Sequence, residues 1–180
     1  MGLTRQYQTY YAISLKHWQE VWGGNTYNTL LVKEHPSEDL VSDDFILSDE
    51  VSFIYPLMYE SKYYLDGIIE GFIGIYNNHS TTTATITSYT VTLKKQANTD
   101  PSPSTLATMT RTLTANNTIP PKDYIFLPLF MPVEHQKVDV SEKLILTISF
   151  VSTGGTCGVA CANDSSVLDN LIKLPYALTD

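Results

Sequence analysis

Residues 84–95 read ATITSYTVTLKK, and their alternation constrains the fold more than any other feature. Ile86, Ser88, Thr90 and Thr92 fall on one parity; Thr85, Thr87, Tyr89, Val91 and Leu93 fall on the other. Side chains of a strand point alternately to opposite faces, so a period of two lets one face meet a core and the other meet water. The second set is the expected inner face. Residues 139–150, DVSEKLILTISF, repeat the pattern, with Leu144, Leu146, Ile148 and Phe150 as the inner face. Residues 105–114, TLATMTRTLT, set Leu106, Thr108 and Thr110 against Ala107, Met109, Arg111 and Leu113.

Other runs fit strands with local peculiarities. Residues 62–76 contain Gly67, Gly71 and Gly74, which mark bulges or close backbone approach. As a helix this run would lose about 3 kcal/mol against alanine at those three positions. Residues 123–133, DYIFLPLFMPV, are apolar on both parities, and Pro128 and Pro132 suit an edge strand or a bulge. Residues 46–58 alternate around Val51, Phe53 and Tyr55. Prolines and Asp-Pro make 96–105 a loop. Gly154–Gly155 read as a hairpin turn into residues 156–162, and LIKLPYAL at 171–178 is the last strand.

About eight strands separated by turn signals, with no long amphipathic helix after residue 46, predict an all-β, antiparallel two-sheet sandwich. Their length and number, and the lack of a Cys…Trp…Cys framework, favour a jelly roll over an immunoglobulin-like sandwich. The boundary falls at 45/46, with an extended N-terminal arm at 1–45 and the jelly roll at 46–180. Residues 6–15 read as extended, and residues 15–24, LKHWQEVWGG, as one or two helical turns stopped by Gly23–Gly24. Five aromatics crowd this segment: Tyr7, Tyr10, Tyr11, Trp18 and Trp22. Two roles are open. The segment supplies a first strand to the sandwich, or its aromatics anchor on a neighbouring subunit, where such side chains are enriched at interface cores.

Composition narrows the function classes. The 180 residues carry a net charge of −8, and the basic residues are scattered apart from Lys94–Lys95. Phosphate binding needs clustered Lys and Arg, so direct nucleic-acid binding is not expected. No apolar run reaches membrane-spanning length, and the first residues lack a signal-peptide pattern, so synthesis and folding in cytoplasm are expected. Three Asn-X-Ser/Thr sequons at Asn78, Asn116 and Asn163 then read as chance matches. Cys157 and Cys161 do not match zinc-ribbon spacing; small buried hydrophobes are the plain reading, a disulfide or metal use the others.

No catalytic set is visible. His17, His35, His79 and His135 are far apart and lack metal-ligand neighbours, and no G-x-S-x-G or phosphate loop is present. No enzyme activity and no cofactor are expected. Glu38, Asp39, Asp43, Asp44, Asp49 and Glu50 read as a solvated acidic loop, with calcium binding as the alternative.

Residues 50–73, 126–150 and 155–180 resemble a broad group of tailed-phage virion proteins with a jelly-roll domain. The matching stretches are Phe126–Leu129, Glu142–Phe150, Gly154–Gly155, Asn163–Asp164 and Leu174–Tyr176. Ala162-Asn163-Asp164 stands where that group has His-Asp-Pro. The resemblance implies a capsid decoration or cement subunit on the virion surface, bound to the major capsid protein and to copies of itself. The alternative is a glycan- or receptor-binding module of a tail fibre or spike, with Tyr59, Tyr63, Tyr64 and Tyr76 as candidate sugar contacts.

Overall fold

The computed structural model describes residues 5–15, 18–33, 44–57, 62–162 and 171–177. No helix occurs among them, and the chain is all-β. Strand β1 (Arg5–Ser14) is followed by a hairpin of β2 (Glu20–Trp22) and β3 (Asn25–Tyr27), then by β4 (Thr29–Val32), β5 (Phe45–Ile46) and β6 (Glu50–Ile54). Next come β7 (Tyr63–Asn77), β8 (Ala84–Ala97), β9 (Ser104–Thr112), β10 (Thr118–Ile119), β11 (Tyr124–Val138) and β12 (Glu142–Thr153). β13 (Cys157–Ala160) and β14 (Leu171–Ala177) complete the described chain. The excess over the expected strand number comes from short pieces such as β5 and β10, whose two residues leave no alternation to read.

Twelve strands form one mixed sheet that folds over into a β-sandwich. The first layer runs β9–β8–β12–β6. The second runs β4–β1–β14–β7, with β11 along the other edge of β7 and β13 end to end with β14. One parallel bridge, Leu30 with Ile54, joins the layers; the other pairings are antiparallel. Tyr89, Val91, Leu93, Leu144, Leu146, Ile148 and Phe150 from the first layer meet Tyr10, Leu65, Ile69, Ile73, Leu129 and Met131 from the second in one core. The Tyr89 hydroxyl crosses that core and donates to the Pro128 carbonyl at 2.6 Å.

The face built on Leu144, Leu146, Ile148 and Phe150 points inward as its alternation requires. Edge placement of the proline-bearing run also holds: among the described strands β11 pairs with β7 alone. Four local expectations need correction. In β8 the inner set switches parity. Val151 faces Ser88 while Ser152 faces Ile86, so Thr87 is an extra, bulged residue, and Ile86 rather than Thr85 or Thr87 is buried.

Gly23 and Gly24, with φ of 56° and 77°, turn the β2–β3 hairpin instead of stopping a helix. Positive φ at both central residues is the tight-hairpin geometry that Gly-Gly satisfies without strain. Gly154–Gly155 do turn the chain, but they send it to the other layer: β13 pairs with β7 and β5, not with β12. Residues 5–15 and 18–32 are not an arm extended from the sandwich, since β1 lies between β14 and β4 within the second layer.

Gly71 of β7 is required by close approach. A Cβ there would lie 2.0 Å from the Leu171 carbonyl oxygen, where β14 crosses it.

Candidate functional site

The five N-terminal aromatics are dispersed by the fold. Tyr10 is buried in the main core, edge-on to Tyr55 at 5.3 Å, with its hydroxyl bonded to that of Tyr176. Trp22 is buried by the hairpin on the outer side of the first layer, against Tyr27, Ile54 and Ile145. Its indole N–H donates to the Gln96 carbonyl at 2.6 Å, and the Lys143 ammonium lies 4.1 Å above its ring while pairing with Glu20. Tyr27 donates to Gln96 Oε1 at 3.0 Å, and burial pushes its phenol up from the usual value. Tyr11 is half-buried beside Ile13 and Leu30, and Tyr7 is exposed. Trp18 is half-buried at the seam between the hairpin and β1, and there it lines a cleft.

That cleft has a volume of about 920 Å³ and is open to solvent. Its floor is the outer side of the first layer, at Ile145, Thr147, Ser52 and Lys94. Trp18, Asn25 and Asn28, in and beside the hairpin, line the cleft as well, as do Ser48 and Glu50. The Ser52 and Thr147 hydroxyls bond each other at 2.9 Å.

From the cleft floor across to β9 the outer side of this layer is a hydroxyl surface. Thr108, Thr92, Thr147 and Ser52 face one another across four strands, and Thr110, Thr90, Ser149 and Glu50 form the next row. Thr90 bonds Thr110 at 2.9 Å and Thr92 bonds Thr108 at 3.1 Å.

The outer side of the β7–β11 pair is aromatic and prolyl. Register places Tyr124 opposite Tyr76, Phe126 opposite Gly74, Pro128 opposite Phe72, Phe130 opposite Glu70 and Pro132 opposite Ile68. Phe72 and Phe130 are each 51% exposed. The Tyr76 ring contacts those of Phe45 and Tyr124, both at 4.5 Å between centroids. The sequence signal for this surface is the run at 123–133 that is apolar on both parities: Leu127, Leu129, Met131 and Val133 fill the core, and their neighbours remain outside.

The described histidines have local roles. His79 Nδ1 accepts from the backbone of Thr81 and Thr82, and His135 stacks on Tyr64 at 4.4 Å. Among the described residues no three His, Cys, Asp or Glu side chains gather as a metal cluster. Glu38, Asp39, Asp43, His17, His35 and the sugar-contact candidate Tyr59 lie outside the described residues. Tyr63 is buried, and Tyr64 and Tyr76 are half-buried on β7. No disulfide joins Cys157 to Cys161, and burial pushes the Cys157 thiol up.

The class that these layers define is a β-sandwich domain with two chemically distinct outer faces. No protein-family profile and no curated protein matches the sequence. Solved structures do match in fold. A CocE/NonD family hydrolase from Staphylococcus aureus superposes with a TM-score of 0.62 at 11% identity, over 96% of this chain and 37% of that one. An aminopeptidase from a marine sediment Thaumarchaeota archaeon gives 0.64 at 6% identity, again over 96% of this chain and 37% of that one. The chain thus spans little more than a third of the length of the structures it matches, and at these identities the likeness shows the fold alone.

Proposed function

We propose that this chain is a structural virion protein, a jelly-roll subunit that decorates and cements a capsid by binding the major capsid protein and copies of itself. It works by contact and not by catalysis. The observation that supports this best is the outer side of β7–β11, where Tyr124, Phe126, Pro128, Phe130 and Phe72 form one apolar surface interrupted by the exposed carboxylate of Glu70. Monomeric soluble proteins rarely leave large contiguous apolar patches exposed, and such patches mark interaction sites. Rigid aromatics and prolines lose little entropy on docking, which suits a subunit held in place in many copies. The net charge of −8 suits a position outside the shell, away from packaged nucleic acid.

The second reading is a glycan- or receptor-binding module of a fibre or spike, and the open polar cleft beside Trp18 favours it. Immunogold electron microscopy with antibodies against this chain, on particles from a culture that produces it, separates the two. Label over the shell supports decoration. Label on fibres or spikes supports receptor binding. Particles without label sink both.

A further inference from the structure

The cleft beside Trp18 lies on the other side of the molecule from the aromatic surface of β7–β11, and its chemistry is different. We infer that it binds a neutral oligosaccharide, with Trp18 as the stacking platform. This rests on the receptor-binding reading and assigns it a site none of whose residues are the tyrosines named from the sequence. The lining is amphipathic: the half-buried Trp18, packed on two apolar clusters, supplies its aromatic part, and amides, hydroxyls and one charge of each sign line the rest.

Several of those polar groups find no side-chain partner among the described residues. The side chains of Gln19, Asn28, Glu50 and Lys94 and the Trp18 indole N–H make no hydrogen bond or ion pair to the described residues. Side chains that converge on a cleft with spare donors and acceptors are satisfied by water, or by a ligand that matches them. Asn and Gln each offer both a donor and an acceptor, a carboxylate accepts and an ammonium donates. That mixture matches vicinal hydroxyls, which are donors and acceptors at once.

Charge narrows the class further. Glu50 and Lys94 cancel, so the lining lacks the clustered cations that phosphates and sulfates require. Size narrows it again. Pockets for small ligands run from roughly 300 to 1,000 Å³. At about 920 Å³ and open to solvent, this cleft suits a short chain of sugar rings passing over the indole better than one enclosed ring.

The test is saturation-transfer NMR and tryptophan-fluorescence titration of the intact chain with maltotriose, cellotriose, chitotriose and mannotriose. Sialyllactose and a heparin tetrasaccharide serve as charged comparators. At least one neutral trisaccharide should bind and perturb the emission. With only two tryptophans and Trp22 buried under the hairpin, that perturbation should vanish in Trp18→Ala. Affinity should fall about tenfold or more in Trp18→Ala, as for an aromatic anchor, and by a smaller factor in Asn28→Ala and Glu50→Gln. Circular dichroism and melting confirm that each variant is folded. Binding that survives Trp18→Ala and Glu50→Gln unchanged overturns the cleft and leaves receptor binding standing elsewhere on the chain. Preference for the charged comparators overturns the neutral class. Silence from every saccharide overturns the inference, and a silent glycan array beside it removes the receptor-binding reading as well.

Discussion

The two outer faces of this sandwich answer to the same inner requirement and differ in everything else. Both layers put aliphatic and aromatic side chains into one shared core. Outside, the β9–β8–β12–β6 layer shows rows of Thr and Ser, and the β7–β11 pair shows Tyr, Phe and Pro. A hydroxyl row is satisfied by its neighbours and by water, and it resists close apposition by another apolar surface. An aromatic and prolyl row gains by losing water. The inner faces therefore explain why the chain folds, and the outer faces bear on what it meets. Whether the contrast is functional turns on measurements that treat the two faces separately.

The largest effect should separate inside from outside on a single strand. Leu129 and Phe130 are adjacent in β11; the first is 2% exposed and the second 51%. Leu129→Ala should lower unfolding free energy by about 2–5 kcal/mol, the range for deleting a buried leucine. Phe130→Ala should stay within about 0.5 kcal/mol of the parent, as at other exposed sites. Urea denaturation of both variants checks this. Equal losses would mean that the aromatic surface is covered by the chain itself and has nothing left to offer a partner.

The next effect concerns association. Phe72→Lys with Phe130→Lys leaves the core untouched and places two cations on the apolar surface. Particle binding and concentration-dependent sedimentation should weaken about tenfold or more, roughly 1.4 kcal/mol, with melting unchanged. Unaltered binding would remove β7–β11 from the proposed function.

A smaller effect probes the link between the layers. Tyr89 sits in the core and donates to the Pro128 carbonyl at 2.6 Å. Burial raises its phenol pKa, opposed by Arg111, and burial likewise raises that of Tyr27, opposed by a hydrogen bond with Asn25. A folded value above the unfolded one, near 10, means that this contribution is fully present below pH 10 and is lost as pH rises through the folded values. Denaturation midpoints should therefore fall above about pH 9.5, in addition to an earlier fall from the Cys157 thiol, which burial also raises. Tyr89→Phe should cost about 1 kcal/mol at neutral pH through the lost hydrogen bond and should flatten the alkaline fall. An alkaline limb identical to the parent's would show that Tyr89 does not titrate with unfolding.

The contrast between the faces was partly legible before the fold was known. Period two located Leu144, Leu146, Ile148 and Phe150 inside because alternation is a local property of a strand. The apolar excess at 123–133 was visible too, and the outward row of Phe126, Pro128 and Phe130 is its consequence. Thr87 was not legible as a bulge, because the shift is defined by the partner strand, where Val151 and Ser152 face Ser88 and Ile86. Nor was the central place of β1, which depends on pairing residues 5–11 with 171–177 at the far end of the chain. The spacing of Trp18 and Trp22 imitated a helix face, and only the double positive φ at Gly23–Gly24 reveals the hairpin that sends Trp22 into the protein and leaves Trp18 at the cleft. That cleft joins residues 18–29 to Glu50, Lys94 and Thr147, a juxtaposition no local pattern contains.

The smallest effect on stability gives the sharpest test of the comparison. Thr90→Val, Thr92→Val, Thr108→Val and Thr110→Val together replace both bonded hydroxyl pairs on the β8–β9 surface. Cross-strand Thr pairs contribute roughly 0.2–1 kcal/mol, and valine is an equally good strand former, so melting should barely move. What should change is behaviour at high concentration. The variant carries an apolar surface on both outer faces, and light scattering should show it associating where the parent does not. If the quadruple variant remains as dispersed as the parent, the hydroxyl rows are not what keeps this layer apart from its neighbours, and the difference between the two faces is a matter of composition alone.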